Sequence, residues 1–273
     1  MVIQSASNPH IKYIRNLYTQ RKARRASREF VVEGVQAVSR AFEGGWHVKR
    51  LVYSPNDVRS DWGKRTVAAS DPKMHVQVTS SLLRKLSERE DTELIAVVSQ
   101  AEDDFARISI RPELLVVVIE HPQNPGNLGT IIRTSDAMGV HGILIVEPAV
   151  DVYDPKAVRA TMGSLFTLPV LRVPTPEALR GWLNAVRQTL DGMQVVGTSP
   201  YDAVPAYSCR FRRPTALIIG NEQAGMSEAA KELCDAMVCI PMSGAAESLN
   251  SAISAAMLLY EIRRQRDWRQ SDL

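Results

Sequence analysis

Five short apolar runs, separated by stretches with helical spacing, constrain the fold of this chain more than any other feature. The runs occupy residues 114–119, 142–146, 194–198, 215–219 and 236–240. Each run has the length of a strand and is apolar almost throughout, so both of its faces are expected to be buried. Strands of this kind that alternate with helices are typical of a parallel sheet with helices on both faces. The sequence therefore predicts an α/β domain.

Three loops rich in glycine and polar residues follow these runs. Asn-Pro-Gly-Asn-Leu-Gly occupies 124–129, Gly-Asn-Glu-Gln-Ala-Gly occupies 220–225, and Ile-Pro-Met-Ser-Gly-Ala-Ala-Glu-Ser-Leu-Asn occupies 240–250. Because open parallel sheets bind ligands outside the carboxyl ends of their strands, these loops predict a pocket. The polar side chains expected around it are Asn127, Arg133, Glu222, Ser248 and Asn250. Taken singly, each also fits a structural role, such as a turn residue, an ion-pair partner or a helix cap.

The motifs of several common enzyme classes are incomplete in this chain. Gly220, Gly225 and Ser227 nearly match the phosphate-loop pattern, but Met226 replaces the lysine that reaches the phosphates. No G-x-G-x-x-G segment joins a strand to a helix, and the hydrolase pattern G-x-S-x-G is absent. The three cysteines and five histidines share no ligand spacing, so neither a disulfide framework nor a metal site is predicted.

The first hundred residues predict a smaller α/β unit. Strand patterns lie at 29–32, 48–53, 75–79 and 93–99, with helical patterns near 35–42 and 82–86. The polar stretch 100–107 interrupts this periodicity and is the predicted linker. We therefore expect two domains, at 1–104 and 112–273. The second is expected to close with a helix over 248–264, where apolar residues recur at helical spacing.

Basic residues are concentrated at the start of the chain. The net charge is only +3, yet the first 28 residues contain seven cations and no acidic residue. These cations are Lys12, Arg15, Arg21, Lys22, Arg24, Arg25 and Arg28. A charge run by itself favours a solvated helix face, and the alternative is a surface for a phosphate backbone. The start of the chain has no signal-peptide pattern and no apolar run approaches the roughly 20 residues that span a bilayer, which predicts a cytoplasmic protein without membrane contact.

The three loop motifs, in this order, resemble those of the SpoU/TrmH branch of the SPOUT RNA methyltransferases. The resemblance covers about residues 114–265, and the opening Ser-Asn-Pro-His-Ile-Lys through Phe-Val-Val-Glu-Gly looks like the family's small substrate-binding domain. It implies a catalytic domain with a deep trefoil knot, usually in a homodimer whose site lies near the interface. Two positions depart from the pattern: Glu120 replaces a frequent aspartate, and Ser251 replaces a frequent apolar residue.

The resemblance also implies an activity, the transfer of a methyl group from S-adenosylmethionine to a ribose 2′-hydroxyl of RNA. It assigns Asn127 and Arg133 to the first motif, Glu222 to the second, and Ser248 and Asn250 to the third. The cofactor contacts that it implies are Thr198, Gly220, Ile240, Met242 and Leu249. Because a guanidinium stays protonated at neutral pH, we expect Arg133 to clamp phosphate and stabilise the developing alkoxide rather than act as a base.

The expected substrate is ribosomal RNA, most simply the 23S rRNA, since a separate RNA-binding domain of this style is familiar from rRNA-modifying relatives. In this context the amino-terminal cations favour phosphate contact over a merely solvated face. Two alternatives stay open. One is a tRNA 2′-O-methyltransferase, and the other is a non-catalytic RNA-binding assembly factor with the same fold.

Overall fold

The computed structural model describes residues 2–201, 203–245 and 247–266. The chain divides into two compact units: unit 1 comprises Met1–Ala101 and Asp151–Thr167, and unit 2 comprises Glu102–Val150 and Leu168–Leu273. The segment 151–167 thus belongs to unit 1, although residues of unit 2 precede and follow it in the chain. The expected functional domains, 1–104 and 112–273, are continuous ranges and stay a prediction.

The helices and strands alternate along most of the chain. The strands are β1 Glu29–Glu33, β2 Val48–Tyr53, β3 His75–Gln77, β4 Leu94–Ser99, β5 Leu115–Glu120, β6 Gly142–Val146, β7 Val170–Val173, β8 Gln194–Thr198, β9 Val204–Pro205, β10 Thr215–Ile219 and β11 Ala236–Cys239. The α-helices are α1 Pro9–Thr19, α2 Arg21–Ser27, α3 Val35–Glu43, α4 Asp61–Ala69, α5 Ser80–Leu86, α6 Pro125–Ala137, α7 Pro155–Ala160, α8 Pro176–Thr189, α9 Glu228–Lys231 and α10 Ser251–Gln265. Short 3-10 helices occupy Pro72–Met74, Phe105–Arg107, Ser164–Phe166 and Ala206–Ser208.

Unit 1 is built on a four-stranded sheet with the order β1-β4-β2-β3. Strand β4 runs antiparallel to β1 and β2, while β3 runs parallel to β2. Helix α1 starts at the Asn8 cap, whose side chain accepts from the His10 N–H, and Pro9 supplies the fixed φ that suits a first turn. Its apolar residues Ile11, Ile14 and Leu17 recur at helical spacing and are buried in the core of this unit. The expected strands and helices of this region are confirmed.

Unit 2 is built on a seven-stranded sheet with the order β7-β6-β5-β10-β8-β11-β9, in which every recorded pairing is parallel. All residues of β5, β6 and β10 are buried, as expected for strands covered on both faces. The predicted fold class is therefore confirmed. The sequence did not predict β7 and β9, which are short strands at the two edges of the sheet.

The strand order of this sheet indicates the edge at which a ligand site is expected. From β5 the chain adds β6 and β7 on one side, whereas β10, β8, β11 and β9 lie on the other side. The order therefore reverses between β5 and β10, and such a switch point leaves a crevice outside the carboxyl ends of the strands. The three motif loops follow β5, β10 and β11, so all of them begin at this carboxyl edge.

Candidate active site

Side chains from the three motifs form one hydrogen-bonded network at the carboxyl edge. Asn250 Nδ2 donates to Asn127 Oδ1 at 3.2 Å, and Asn127 Nδ2 donates to Glu222 Oε1 at 3.2 Å. Ser251 Oγ also donates to Glu222 Oε1, at 3.1 Å. Glu222 follows β10 and Asn127 follows β5, so their bond crosses the switch point of the sheet. The structure thus brings together three of the five polar residues expected there.

Two asparagine caps fix the backbone around this network. Asn124 Oδ1 accepts from the N–H groups of Gly126 and Asn127 at 2.8 and 3.1 Å, which places Asn127 in the first turn of α6. Asn250 Oδ1 accepts from Ala252 N–H at 2.9 Å and from Ile253 N–H at 3.3 Å. Helix α10 therefore begins at residue 251 and not at 248, because Asn250 ends the loop as the cap.

The loop of the second motif is shaped by Asn221, which the sequence analysis did not select. Its Oδ1 accepts from the N–H groups of Gln223 and Ala224 at 2.9 and 3.0 Å, and its Nδ2 donates to the His121 carbonyl at 2.7 Å. A Cβ at Gly220 would lie 2.6 Å from backbone atoms of Gly225 and Met226, so no larger residue fits there. The only sequence signal for Asn221 was its place directly after Gly220 in the motif.

A buried carboxylate accepts two hydrogen bonds from Ser227, two residues after the same loop. Glu120, at the end of β5, is 2 % exposed and accepts from the Ser227 N–H at 2.9 Å and from the Ser227 hydroxyl. A carboxylate is kept in the interior only when such donors satisfy it. Glu120 is one of the two positions that depart from the family pattern, and Ser251 in the network is the other. Both departures therefore have structural partners.

Of the residues expected to contact a cofactor, Thr198, Gly220 and Ile240 lie at the carboxyl ends of β8, β10 and β11, and Met242 and Leu249 lie in the loop between β11 and α10. Thr198 is half-buried: its N–H donates to Met226 Sδ at 3.2 Å, and its hydroxyl donates to the Ile218 carbonyl at 3.1 Å. Ile240 is also half-buried, and Met242 and Leu249 are each 38 % exposed. These accessible apolar side chains fit the flat apolar faces of an adenine ring, and the loop backbones beside them offer polar groups. The residues present therefore suit an adenosine-containing cofactor.

Arg133 and Ser248 do not join the network. Arg133 is exposed on α6, six residues after Asn127 and thus about 9 Å further along the helix axis. Ser248 is exposed in the loop before α10. Neither side chain forms a hydrogen bond or ion pair with another residue that the structure describes. Their roles as catalytic residues stay a prediction.

The seven amino-terminal cations do not share one environment. Lys12, Arg15, Lys22, Arg25 and Arg28 are exposed on or beside α1 and α2, and Arg21 is half-buried. Arg24 is 2 % exposed, and its Nε lies 2.7 Å from Asp151 Oδ2. Its other nitrogens donate to Asp154 and to the carbonyls of Leu17 and Tyr18. Arg24 therefore holds α1 and α2 to residues 151–154 inside unit 1 and offers no free face to a ligand.

The described ranges contain no group of three or more histidine, cysteine or acidic side chains that could hold a metal ion. Among these same residues, no helix combines the length and the apolar character needed to cross a membrane.

The parallel sheet, its switch point and the three-motif network define an α/β protein with a candidate ligand site at the carboxyl edge. Comparison with protein families makes the assignment specific: residues 114–260 match the SpoU rRNA methylase family, and residues 8–96 match an MRM3-like substrate-binding domain. The chain belongs to the SpoU rRNA methylase family. The resemblance stated from the motifs is thereby confirmed.

Individual relatives are similar over nearly the whole chain. A 23S rRNA uridine 2′-O-methyltransferase of Streptomyces viridochromogenes is 40 % identical over 267 residues, which cover 96 % of this chain and 92 % of that protein. The 23S rRNA guanosine 2′-O-methyltransferase RlmP of Bacillus subtilis is 30 % identical over 96 % of this chain and 98 % of its own length. Among solved structures, the SpoU methyltransferase AviRb from S. viridochromogenes in complex with AdoMet has a TM-score of 0.88 at 40 % identity and covers 95 % of this chain and 99 % of that one.

Proposed function

We propose that this protein is an S-adenosylmethionine-dependent methyltransferase that methylates a ribose 2′-hydroxyl of 23S ribosomal RNA. The observation that carries the proposal is the network of Asn127, Glu222 and Asn250, which joins three motifs of the SpoU family at the switch point. Two relatives that match 96 % of this chain are named as 23S rRNA 2′-O-methyltransferases, which supports the same substrate class.

The cofactor would be held at the carboxyl ends of β8, β10 and β11. Thr198 and Gly220 would contribute there, and the apolar side chains of Ile240, Met242 and Leu249 would flank the adenine. When bound, S-adenosylmethionine supplies a methyl group already activated on a sulfonium. The protein therefore has to align the acceptor hydroxyl, and correct orientation can lower a barrier by about 7–11 kcal/mol in favourable cases.

Arg133 is proposed as the residue that grips the substrate phosphate and stabilises the charge that develops on the ribose oxygen. Its guanidinium is exposed and forms no contact with the described residues, so it is available to a ligand. A planar fork of N–H donors suits a phosphate better than a point charge does. Asn127, Glu222 and Asn250 would fix the loops around the reacting groups, and Ser248 would contact the ribose or its loop.

The exposed and half-buried cations on or beside α1 and α2 are proposed to contact the RNA backbone. Arg24 is left out of this set because its ion pairs are internal to unit 1. The remaining members are Lys12, Arg15, Arg21, Lys22, Arg25 and Arg28. Such contacts position an RNA and do not select its sequence. We propose that residues 1–104 form the substrate-binding domain and that residues 112–273 form the catalytic domain.

A homodimer is also proposed, with a trefoil knot in each catalytic domain. Helix α10 exposes Ile253, Met257 and Tyr260, which recur at helical spacing and are 52 %, 46 % and 56 % exposed. A stripe of large apolar side chains on one helix face is typical of an interface. Light scattering on the purified protein tests the dimer, since a monomer that still methylates RNA would contradict it. We propose a cytoplasmic location, where the ribosomal substrate is made.

The function is tested by incubating the protein with labelled S-adenosylmethionine and deproteinised 23S rRNA. We expect label in the RNA at a single nucleotide, identified as a 2′-O-methyl ribose by nuclease mapping and mass spectrometry. Parallel reactions with tRNA test the alternative substrate. Binding of S-adenosylmethionine without transfer to either RNA would contradict the proposal.

A further inference from the structure

Helices α1 and α5 lie on the same face of the unit 1 sheet. Ile14 of α1 and Leu83 of α5 belong to one hydrophobic cluster, together with Val31, Val52 and Val97 from the strands β1, β2 and β4. Successive residues of a strand point to opposite faces, so the helices that share this cluster cover one face between them. Helices packed side by side have axes about 8–10 Å apart.

A half-buried carboxylate joins the carboxyl-terminal ends of the two helices. Glu33, at the end of β1, accepts a hydrogen bond from the hydroxyl of Tyr18, in the last turn of α1. It also accepts from the hydroxyl of Ser87, the cap of α5, at 2.8 Å, and from the Thr92 hydroxyl at 3.1 Å. These donors satisfy the carboxylate where it is partly withdrawn from water. Helices α1 and α5 therefore end beside each other, and their outer surfaces are neighbours.

Four exposed cations lie on these outer surfaces. Lys12 and Arg15 are on α1, where a spacing of three positions places them on one side of the helix, and Arg84 and Lys85 are on α5. Neither helix contains an acidic residue. Within the part of the chain that the structure describes, none of the four side chains forms an ion pair or a hydrogen bond. We call these four residues the α1–α5 surface.

Carboxylates next to the two helices are bound to other partners. Glu29 Oε2 accepts from Arg50 Nη1 at 2.8 Å and from the hydroxyl of Tyr13, on α1, at 2.7 Å. The guanidinium of Arg50 also lies over the Tyr13 ring, 5.1 Å from its centroid. Glu88, which follows the cap of α5, lies 3.2 Å from Arg159. These contacts leave the charges of the α1–α5 surface available to a ligand.

The chemistry of the α1–α5 surface fits a polyanion better than an apolar partner. The two helices expose no large apolar side chain, whereas the centre of a protein–protein interface is usually apolar. Lysine and arginine side chains that neutralise phosphates release the counterions condensed on a nucleic acid, and this release drives binding. Cations on two neighbouring helices can contact more of the backbone than the cations of one helix.

We infer that the α1–α5 surface binds the phosphate backbone of the RNA substrate, and that Arg84 and Lys85 supply contacts in addition to those of Lys12 and Arg15. The inference rests on the proposed function. Residues 8–96, which contain both helices, match an MRM3-like substrate-binding domain. The contact positions the RNA and does not select its sequence, since phosphate contacts carry no direct sequence information.

The test is the salt dependence of binding to deproteinised 23S rRNA. In the double variant Arg84→Gln, Lys85→Gln, we expect the slope of log K against log salt to become shallower by about 1.5, because each lost phosphate contact contributes about 0.7–0.9. At moderate salt the affinity should fall about 10-fold. Addition of Lys12→Gln and Arg15→Gln should bring the loss of slope to about 3. The affinity for S-adenosylmethionine should not change.

Helix α4 supplies a matched control, because Lys64 and Arg65 are also an adjacent pair of exposed cations within a helix of unit 1. Trp62 of α4 donates to the Ser39 hydroxyl of α3 at 2.8 Å, and the buried residues of α3 lie outside the cluster under α1 and α5. Helix α4 also begins with the acidic residue Asp61. Lys64→Gln, Arg65→Gln removes the same two kinds of charge and should leave the slope nearly unchanged.

Two further variants separate charge from folding. Arg84→Lys, Lys85→Arg keeps both charges and should keep the slope. If the double Gln variant does not fold, the single variants Arg84→Gln and Lys85→Gln decide the question, and each should lose about 0.8 in slope.

An unchanged slope in the α5 variant, or an equal loss in the α4 control, would overturn the inference. A lower melting temperature with an unchanged slope would also overturn it, because Arg84 and Lys85 would then only stabilise the negative end of α5. These results are read from RNA binding and thermal unfolding. They are therefore distinct from a failure of the proposed function, which would appear as an absence of methyl transfer by the wild-type protein.

Discussion

The two edges of the unit 2 sheet use polar residues in opposite ways. At the carboxyl edge, Asn127, Glu222 and Asn250 bond to one another and so fix three motif loops in place. At the opposite edge, where the strands begin (the amino edge), Gln265 and Arg266 bond to backbone groups of a single loop, residues 209–214, which leads into β10. The carboxyl edge therefore joins the side chains of three loops, whereas the amino edge fixes the backbone of one loop.

The largest effect on activity is expected for a change of Arg133, in the helix that contains the first motif. Replacing it with Lys keeps the charge but removes the planar fork, and we expect single-turnover methylation of 23S rRNA to fall by about 10²–10³-fold. The affinity for S-adenosylmethionine should not change. A rate close to that of the wild type would show that a point charge is enough and that the fork has no special role.

The next effect concerns Arg266, which donates hydrogen bonds to the carbonyls of Phe211, Glu113 and Arg213 at the amino edge. Arg266→Met would leave several carbonyl groups without a partner, and we expect the free energy of unfolding to fall by about 2–3 kcal/mol in urea titrations. Arg264→Met is the control, because Arg264 is exposed and, within the part of the chain that the structure describes, bonds only to Glu261 on its own helix. The control should change stability by less than about 0.5 kcal/mol. Equal losses in both variants would mean that the carbonyl contacts are not the cause.

At the carboxyl edge, Glu120→Ala removes the acceptor for the N–H and hydroxyl groups of Ser227. We expect a loss of about 1–2 kcal/mol in the free energy of unfolding, together with weaker binding of S-adenosylmethionine by calorimetry, because the second motif loop loses its support. Glu228→Gln, an exposed change in the same region, should affect neither quantity. If Glu120→Ala binds S-adenosylmethionine with the affinity of the wild type, Glu120 has no role in cofactor binding.

The smallest expected effect separates two roles of Asn250. Asn250→Ala removes the cap of α10 and should cost about 1 kcal/mol of stability, whereas Asn250→Ser keeps a capping oxygen and should cost little. Both variants lose the amide that donates to Asn127, so both should methylate RNA more slowly. Thermal unfolding and single-turnover rates measure the two roles separately. Full activity in the Ser variant would limit Asn250 to capping.

Local pattern predicted most strands and the edge at which the three motif loops begin. The ranges 142–146, 194–198 and 215–219 coincide with β6, β8 and β10, because strands buried on both faces must be apolar along their length. The edge strands β7 and β9 were missed, since a short strand at an edge needs no continuous apolar run. Asn221 was missed for a related reason, because nothing in its neighbours distinguishes a loop-shaping asparagine from a solvated one.

The sequence by itself determined the fold class, the family and the three motifs, since these depend on residues that are close together in the chain. Only the tertiary structure decided which polar residues meet. The sequence pattern does not distinguish Arg24 from the six other cations of the amino-terminal segment. Arg24 is nevertheless buried against Asp151 and Asp154, which lie 127 and 130 positions away in the chain. Asn127 likewise bonds to Glu222 across 95 positions, while Arg133, in the same helix, does not reach that network. Contacts between distant positions depend on how strands are ordered in the sheet, and no local pattern encodes that order.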